Sequence, residues 1–405
     1  TVFLNLRKLG QRRVNPLKIT IVCDVLGEEN NGTSVAAMNL IRYLTEKGHE
    51  LTVVCPDEDR QGQPQYAVVP QMHFGPFDSY VKKVGVSIAK PDNDILERAV
   101  RGADVVHLVT PFFLAGHALE IAKREGIPVT ASFHCQAENI SSHLFLRNSK
   151  RVNRGIYHIL YRRIYAKCDA IHFPTQFICD VFESTVGVTT NHYVISNGVN
   201  ARFVSQPTQK PQELCDKFVI LFTGRYCREK SHAVLIDGVA LSRHEKDIAL
   251  IFAGTGPLED DLRRHAKKLT NMPVFRFFSR EEMLRVLNYA DLYVHPAEIE
   301  IEAIACLEAI ACGLVPVISD SPRSATGAFA LDERNLFRCN DPVSLAERID
   351  YWIEHPDARE QCRQAYLGYA AKFDQNACMA QMEQMLIDTA MLRAPAVSED
   401  AASEA

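Results

Sequence analysis

The chain contains no Cys-x-x-Cys pair, although twelve cysteines are spread through its 405 residues. Most of them fall within apolar strands or small-residue helix faces, where a reduced thiol behaves as a small hydrophobe. That pattern excludes a disulfide framework and a zinc site, and it points to a reducing cytosol. Long hydrophobic runs are also missing. No apolar stretch reaches the ~18–20 residues of a membrane span, and the longest, 303–318, is broken by Glu308. Residues 1–15 carry Arg7, Lys8, Arg12 and Arg13 with no apolar region behind them, so no secretory signal is expected. A net charge of −5 gives no whole-molecule argument for nucleic acid. With 47% hydrophobic residues the chain can fill full cores, and its length suits two domains.

Strand and helix patterns alternate. In the first half strands are expected at 18–24, 51–55, 104–108, 128–133, 170–173 and 193–196, with a helix at 34–47. In the second half they are expected at 218–223, 249–253, 274–277, 292–295 and 315–319. Alternation of this kind predicts parallel sheets covered on both faces. Residues 200–217 have little periodicity and read as a linker. The expected division is a first α/β domain over 1–203, a second over 204–392 and a small, acidic, disordered tail at 393–405. Two doubly wound domains place a ligand cleft between the carboxyl edges of their sheets.

The most informative segment runs from His295 to Gly313 and holds Glu300 and Glu308, eight residues apart where a strand passes into a helix. With a helix starting near Glu302, Glu308 sits about two turns inside it at ~1.5 Å per residue. The two carboxylates would then grip the two ends of a nucleotide-sugar, with helix-end N–H groups facing its anionic middle. A solvated amphipathic helix gives the same spacing. Gly224, Arg225 and Lys230, between a strand and the next helix, put two cations beside a helix N-terminus. An arginine there binds phosphate bidentately and a lysine adds a point charge; a solvated basic loop is the other reading. Gly254 and Gly256 form a turn that lets backbone approach a ligand, a weak signal alone. In the first half, Asn30-Asn31-Gly32-Thr33-Ser34 leads into the first long helix. Gly32 allows close approach, and Thr33 or Ser34 is placed to N-cap. His134 ends a buried strand, where a lone histidine is more often structural, but it should face the cleft; His107 reads as a packing or hydrogen-bonding residue.

Between Arg147 and Lys167 lie seven Lys or Arg and no acid, interleaved with Tyr157, Tyr161 and Tyr165. On a helix this is a basic, aromatic-rich amphipathic surface suited to anionic lipid headgroups, with Arg151, Arg154, Arg162 and Arg163 as the membrane-binding set. An ordinary surface helix with snorkelling arginines has the same composition. RNA is disfavoured, because no nucleic-acid motif accompanies the run.

Taken together, Asn-Gly-Thr-Ser at 31–34, Ser-Phe-His at 132–134 and Val-Ile-Ser-Asn-Gly-Val at 194–199 begin an ordered series. Gly-Arg…Glu-Lys at 224–230, Ala-Gly-Thr-Gly-Pro at 253–257, Ser-Arg-Glu-Glu at 279–282 and Glu300–x7–Glu308 complete it. The series resembles glycosyltransferase family 4, retaining enzymes of the GT-B fold with two Rossmann-like domains. Among them it looks most like bacterial enzymes that glycosylate diacylglycerol or glycolipid acceptors. The resemblance implies that Arg225 and Lys230 neutralise the donor diphosphate, Glu308 holds the ribose and Glu300 the donor sugar. Gly32 and Thr33 would approach the phosphates, and His134 would lie beside sugar and acceptor. Catalytic roles thus fall to His134, Glu300, Arg225 and Lys230. The donor site would include Gly224, Gly254, Gly256, Ile301, Glu302 and Ala303. Three departures from the family pattern stand out. Ile301-Glu302-Ala303 replaces Gly-Phe-Gly, Ser321 to Thr326 replaces a glycine-rich turn, and 275–278 lacks its glycine.

The expectation is a hexosyltransferase moving sugar from a nucleotide-sugar, UDP-linked, to a lipid acceptor at an anionic membrane surface. It would be cytoplasmic and peripheral at the inner face of the membrane. No cofactor and no metal are expected, because no Asp-x-Asp pair is placed beside the cations. A soluble or polysaccharide acceptor, or a non-catalytic sugar-nucleotide-binding protein, are the alternatives. A GT-B epimerase is a further one; a phosphorylase would need a pyridoxal lysine and a much longer chain.

Overall fold

A computed structural model describes residues 15–26, 32–73, 75, 88–142, 146 and 148–393. The first sheet is built from β1 (Lys18–Val22), β2 (Glu50–Cys55), β3 (Tyr66–Val68), β4 (Val105–Leu108), β5 (Val129–Ser132), β6 (Ala170–Phe173) and β7 (His192–Val194). Its order is β3-β2-β1-β4-β5-β6-β7. The second holds β8 (Phe218–Thr223), β9 (Ile248–Ala253), β10 (Val274–Arg276), β11 (Leu292–His295), β12 (Pro316–Ser319) and β13 (Leu336–Phe337), ordered β10-β9-β8-β11-β12-β13. Every ladder between these strands is parallel. In each sheet the winding reverses beside the first strand, at β1/β4 and at β8/β11. Such a reversal opens a crevice at the carboxyl ends of the strands. β4, β5, β6, β11 and β12 are buried at every position, as continuous apolar strands between two helical layers must be.

Among the described residues, the helices of the first half are α1 (Gly32–Glu46), α2 (Asn93–Val100), α3 (Phe113–Arg124), α4 (Ala137–Ser142), α5 (Lys150–Arg163) and α6 (Gln176–Val186). Those of the second are α7 (His232–Leu241), α8 (Glu259–His265), α9 (Arg280–Tyr289), α10 (Ile304–Ala311), α11 (Pro342–Glu354) and α12 (Pro356–Ala370), and α13 (Gln375–Ala390) is the last helix among the described residues. Local chemistry sets several boundaries. Thr175 caps α6 by accepting from Ile178 N–H, and Gly187 ends it in the left-handed region. Ser279 and Glu282 form a capping box on α9. The N-cap expected at Thr33 or Ser34 is not formed. Both lie inside α1, and Ser34 Oγ donates to the Val25 carbonyl at 3.4 Å. Asn30 and Asn31 lie outside the described residues, as do 1–14, Arg147 and the tail from 394 onward.

Three apolar clusters fill the layers. One packs the second sheet around Phe222, Phe252, Tyr293 and Trp352. The other two lie on the first sheet. One gathers Phe133, Phe173, Phe182, Tyr157 and Tyr165. The other joins Ile21, Val53 and Val105 to Leu40 and Leu44 of α1 and to Met379, Met382, Met385 and Leu386 of α13. The last helix therefore packs on the first sheet, although it follows the second in sequence. Burying each such side chain is worth roughly 1.5–3 kcal/mol. Gly198 makes the crossing possible: its φ is +74°, and a Cβ there would lie 2.6 Å from Gln375 Cα. Val199 N–H donates to Phe373 at 2.7 Å and Gln375 N–H to Val199 at 3.1 Å, so both crossings run side by side. Among the described residues no helix is long and apolar enough to cross a membrane.

Candidate active site

β11 ends on the buried His295, and the loop after it carries Glu300 back over the mouth of β8. There Lys230, on a short turn following β8, forms an ion pair with Glu300 Oε1. His295 Nε2 lies 3.1 Å from the same oxygen, and Tyr293 Oη lies 3.4 Å from His295 Nδ1. Burial opposes charge at both ends of the pair. The Lys230 ammonium and His295 outweigh it and hold Glu300 down at about 2, while Glu300 raises Lys230 above its ordinary value. Burial keeps His295 below its ordinary value and therefore neutral. The residue expected to bind diphosphate and the residue expected to bind sugar thus hold each other. His295 was given no role from sequence, although its place at the end of a buried strand before Glu300 was a signal.

Arg225 stands on the same loop, its Nη2 3.8 Å from Glu229. Gly254 and Gly256 serve this loop in a way the spacing did not reveal. A Cβ on Gly254 would meet the Gly224 carbonyl oxygen at 2.1 Å, and one on Gly256 would meet the Tyr226 backbone at 2.6 Å. Tyr226 N–H donates to Thr255 at 2.8 Å. The close approach that demands glycine is therefore between two protein loops; Gly254 also borders the cleft.

α10 begins at Ile304, so Glu308 lies one turn inside it and not two. It borders a cavity of about 520 Å³ together with Thr223, Gly254, Phe277, Arg202 and Arg280. Val35, Asn39 and Arg42 of α1 form the opposite wall. That volume suits a small-molecule ligand. Glu300, Lys230, Arg225 and His134 are not in its lining, so the cavity extends from Glu308 away from the ion pair. Burial raises the Glu308 carboxyl to about 7, against the pull of Arg280 and Arg202. Thr223 Oγ1, in the cavity wall, is buried without a hydrogen-bond partner among the described residues. Gly32 and Thr33 start the helix whose next turns line the cavity, and neither is among its lining residues.

His134 follows β5, its ring 5.6 Å from His172 and edge-on to it. Burial, then His172 and His107, push it well below its ordinary value, so it is neutral. Behind it Ser132 Oγ bridges His107 Nε2 at 3.1 Å and His172 Nδ1 at 2.9 Å, and His107 Nδ1 meets Thr130 at 2.8 Å. His107 is thus a hydrogen-bonding residue of the interior. Gln136, two residues on from His134, donates through Nε2 to the Arg323 carbonyl at 3.2 Å, and Glu300 N–H reaches the same carbonyl at 3.4 Å. The segments bearing His134 and Glu300 therefore meet on Arg323. Gln136 Oε1 is buried without a partner among the described residues. Neither Gln136 nor Arg323 stood out in the sequence as a site residue.

Within the expected donor loop, Ile301 offers its carbonyl to Thr175 Oγ1 at 2.8 Å. The Glu302 carboxylate is taken by Ser196 and Asn197, and Ala303 has a left-handed φ of 62°. The Glu302 side chain is therefore engaged by protein where a donor contact was expected. Tyr157 on α5 and Tyr165, in the turn just beyond it, point inward and are buried against Phe133 and Phe182. Arg151, Arg154, Arg162 and Arg163 are exposed with Ile159 between them, so the outer face is basic and not aromatic.

Residues 30–203 match the family model described as Glycosyltransferase Family 4, and 205–366 match that of Glycosyl transferases group 1. A GDP-mannose-dependent alpha-mannosyltransferase of Corynebacterium glutamicum is 24% identical over 386 residues, 90% of this chain and 87% of that protein. An alpha-monoglucosyldiacylglycerol synthase of Streptococcus pneumoniae is 25% identical over 322 residues, 75% of this chain and 71% of its own. Anabaena HepE, solved in complex with UDP and glucose, superposes with a TM-score of 0.71 at 16% identity, covering 92% of this chain and 100% of that one. At that identity the likeness is one of fold.

Proposed function

The chain belongs to glycosyltransferase family 4, with the GT-B fold, and from that premise we propose that it moves a hexose from a UDP-sugar to a lipid acceptor with retention of configuration. Diacylglycerol or a glycosyl-diacylglycerol is the acceptor of this reading. The observation that carries it is the grouping of Glu300 and Lys230 at one carboxyl edge, with Glu308 bordering the adjoining cavity. The name of the pneumococcal relative supports the acceptor, and the ligands of the Anabaena structure support the donor.

In this reading Glu308 accepts the ribose hydroxyls and the cavity beyond it takes the base. Arg225 and Lys230 lie against the diphosphate and take up the charge that develops as it leaves. Glu300, released from Lys230, orients the sugar hydroxyls. The bond from the anomeric carbon to the diphosphate oxygen breaks, and the acceptor oxygen bonds to the same face of that carbon. The acceptor proton passes to a donor phosphate oxygen. Double displacement would need a carboxylate nucleophile on the far face of the sugar, and the motif offers only Glu300. Protein cations supply the positive charge, so the reading includes no metal. The exposed arginines of α5 would hold the first half against anionic lipid, leaving the protein cytoplasmic and peripheral.

The test is incubation of purified protein, in EDTA, with UDP-glucose, UDP-galactose or GDP-mannose and with diacylglycerol, glycosyl-diacylglycerol or soluble sugars. An α-linked glycolipid made from a UDP-sugar is expected. A β-linked product would overturn retention, and transfer only to soluble sugar would overturn the lipid acceptor. Loss of activity in EDTA would overturn metal independence. No turnover of any donor would leave a sugar-nucleotide-binding protein.

A further inference from the structure

We infer that Glu302 is a positioning residue, a clasp that fastens the loop of Glu300 to the first half of the chain and so couples this loop to closure of the cleft. The inference rests on the donor-loop reading above for its effect on turnover, but the clasp itself is a matter of geometry. Glu302 is 4% exposed, and burial raises its carboxyl to about 7 against the hydrogen bonds of Ser196 and Asn197. Ser196 Oγ and Asn197 Nδ2 both donate to it, and Asn197 N–H lies 3.1 and 3.3 Å from its two oxygens. All these donors come from one dipeptide after β7, on the other side of the cleft. A carboxylate this deep is costly unless its lone pairs are filled, and here one dipeptide fills them.

Its neighbours point the same way. Ile301 packs against the aromatic core of the first sheet and accepts from Thr175 at 2.8 Å. Ala303, next after Glu302, holds a φ of 62° that an L-residue rarely adopts, and it opens α10 without a side-chain cap. A strained residue persists where its surroundings over-determine it: the clasp fixes one side of Ala303 and the helix the other. The clasped dipeptide is also tied to the chain crossing, since Gly198 N–H donates to Ser196 Oγ at 3.0 Å and Val199 N–H to Phe373. Movement of the second half against the first must therefore pull on the loop that bears Glu300.

The first arm of the test uses ligand-free protein and hydrogen exchange. In Glu302→Gln the amides of Asn197 and Gly198 should exchange at least ten-fold faster than in wild type, with the β8 and β9 amides unchanged. The second arm uses UDP-sugar turnover. Glu302→Gln should lower kcat at least ten-fold and raise the KM for the sugar donor, while affinity for UDP alone, held at Glu308, changes less than three-fold. Asn197→Asp should do the same. The double variant Glu302→Gln/Asn197→Asp exchanges the amide and the carboxylate across the clasp, and it should recover most of the loss. Ser196→Ala removes one donor only and serves if Glu302→Gln melts too low to measure. Unchanged exchange at 197–198, acceleration spread over both sheets, or no recovery in the double variant would each overturn the clasp. If wild-type protein turns over no sugar donor while the exchange result holds, the transferase reading fails and the clasp stands.

Discussion

Lys230 and Glu300 show at the scale of one side chain how a binding residue is also structural. Removing Lys230 takes away the ammonium that holds the Glu300 carboxyl low and leaves that largely buried group, among the described residues, beside a neutral histidine. Breaking a fully buried pair costs about 3–5 kcal/mol, so at this cleft edge Lys230→Ala should lose about 2 kcal/mol of stability as well as activity. Lys230→Ala/Glu300→Gln should regain the stability without the activity. Urea titration beside a turnover assay separates the two; equal stability of Lys230→Ala and wild type would show the pair to be worth nothing. Glu308 gives a pH dependence. Its carboxyl sits at about 7 in the free protein, and an ionised carboxylate is the better acceptor for two hydroxyls. Binding then requires loss of a proton below pH 7. UDP affinity should rise about ten-fold per pH unit up to 7 and level off above it. Calorimetry across pH 5–8 checks this, and the slope should be shallower in Glu308→Gln, where only the ionisation of the UDP terminal phosphate at about pH 6 remains.

At the scale of an element, α5 has two faces with separate jobs. Tyr157 and Leu160 are buried, while the four arginines are exposed on the opposite side. Changing Arg151, Arg154, Arg162 and Arg163 to Gln should leave the melting temperature within a degree or two. It should remove binding to phosphatidylglycerol vesicles, at about 1 kcal/mol for each charge near the surface. Added salt should weaken wild-type binding in the same sedimentation assay. Tyr157→Ala should do the reverse, costing about 3–5 kcal/mol of stability through the emptied aromatic core. Protein that ignores anionic vesicles at low salt would remove the membrane from the proposal.

For the whole molecule, the decisive feature is that α13 covers the first sheet. A chain ending at Asp374 would uncover Ile21, Val53, Val105 and the flank of α1, the surface on which Met379, Met382, Met385 and Leu386 pack. An exposed patch of that kind favours association. The fragment 15–203 should therefore aggregate or melt far below the full chain, and adding a peptide of 375–390 should recover soluble, folded material. Independent two-state unfolding of 15–203 at full-chain stability, followed by circular dichroism, would contradict this.

The sequence by itself determined the α/β alternation, the parallel sheets and the order of the loops that meet at the cleft. These follow from local periodicity, and buried strands such as Leu292–His295 read as unbroken apolar runs. β3 and β13 escaped because three and two residues carry no period. The Glu300–x7–Glu308 spacing was legible for the same reason, since it lies within one strand-to-helix passage. What Glu302 bonds to, why Gly256 must be glycine, and which sheet the last helix covers were decided only by tertiary structure. Each is a contact between residues far apart in the chain, such as Glu302 with Asn197 or Met382 with the first sheet. Periodicity says which face of an element is apolar; it does not say which partner that face meets.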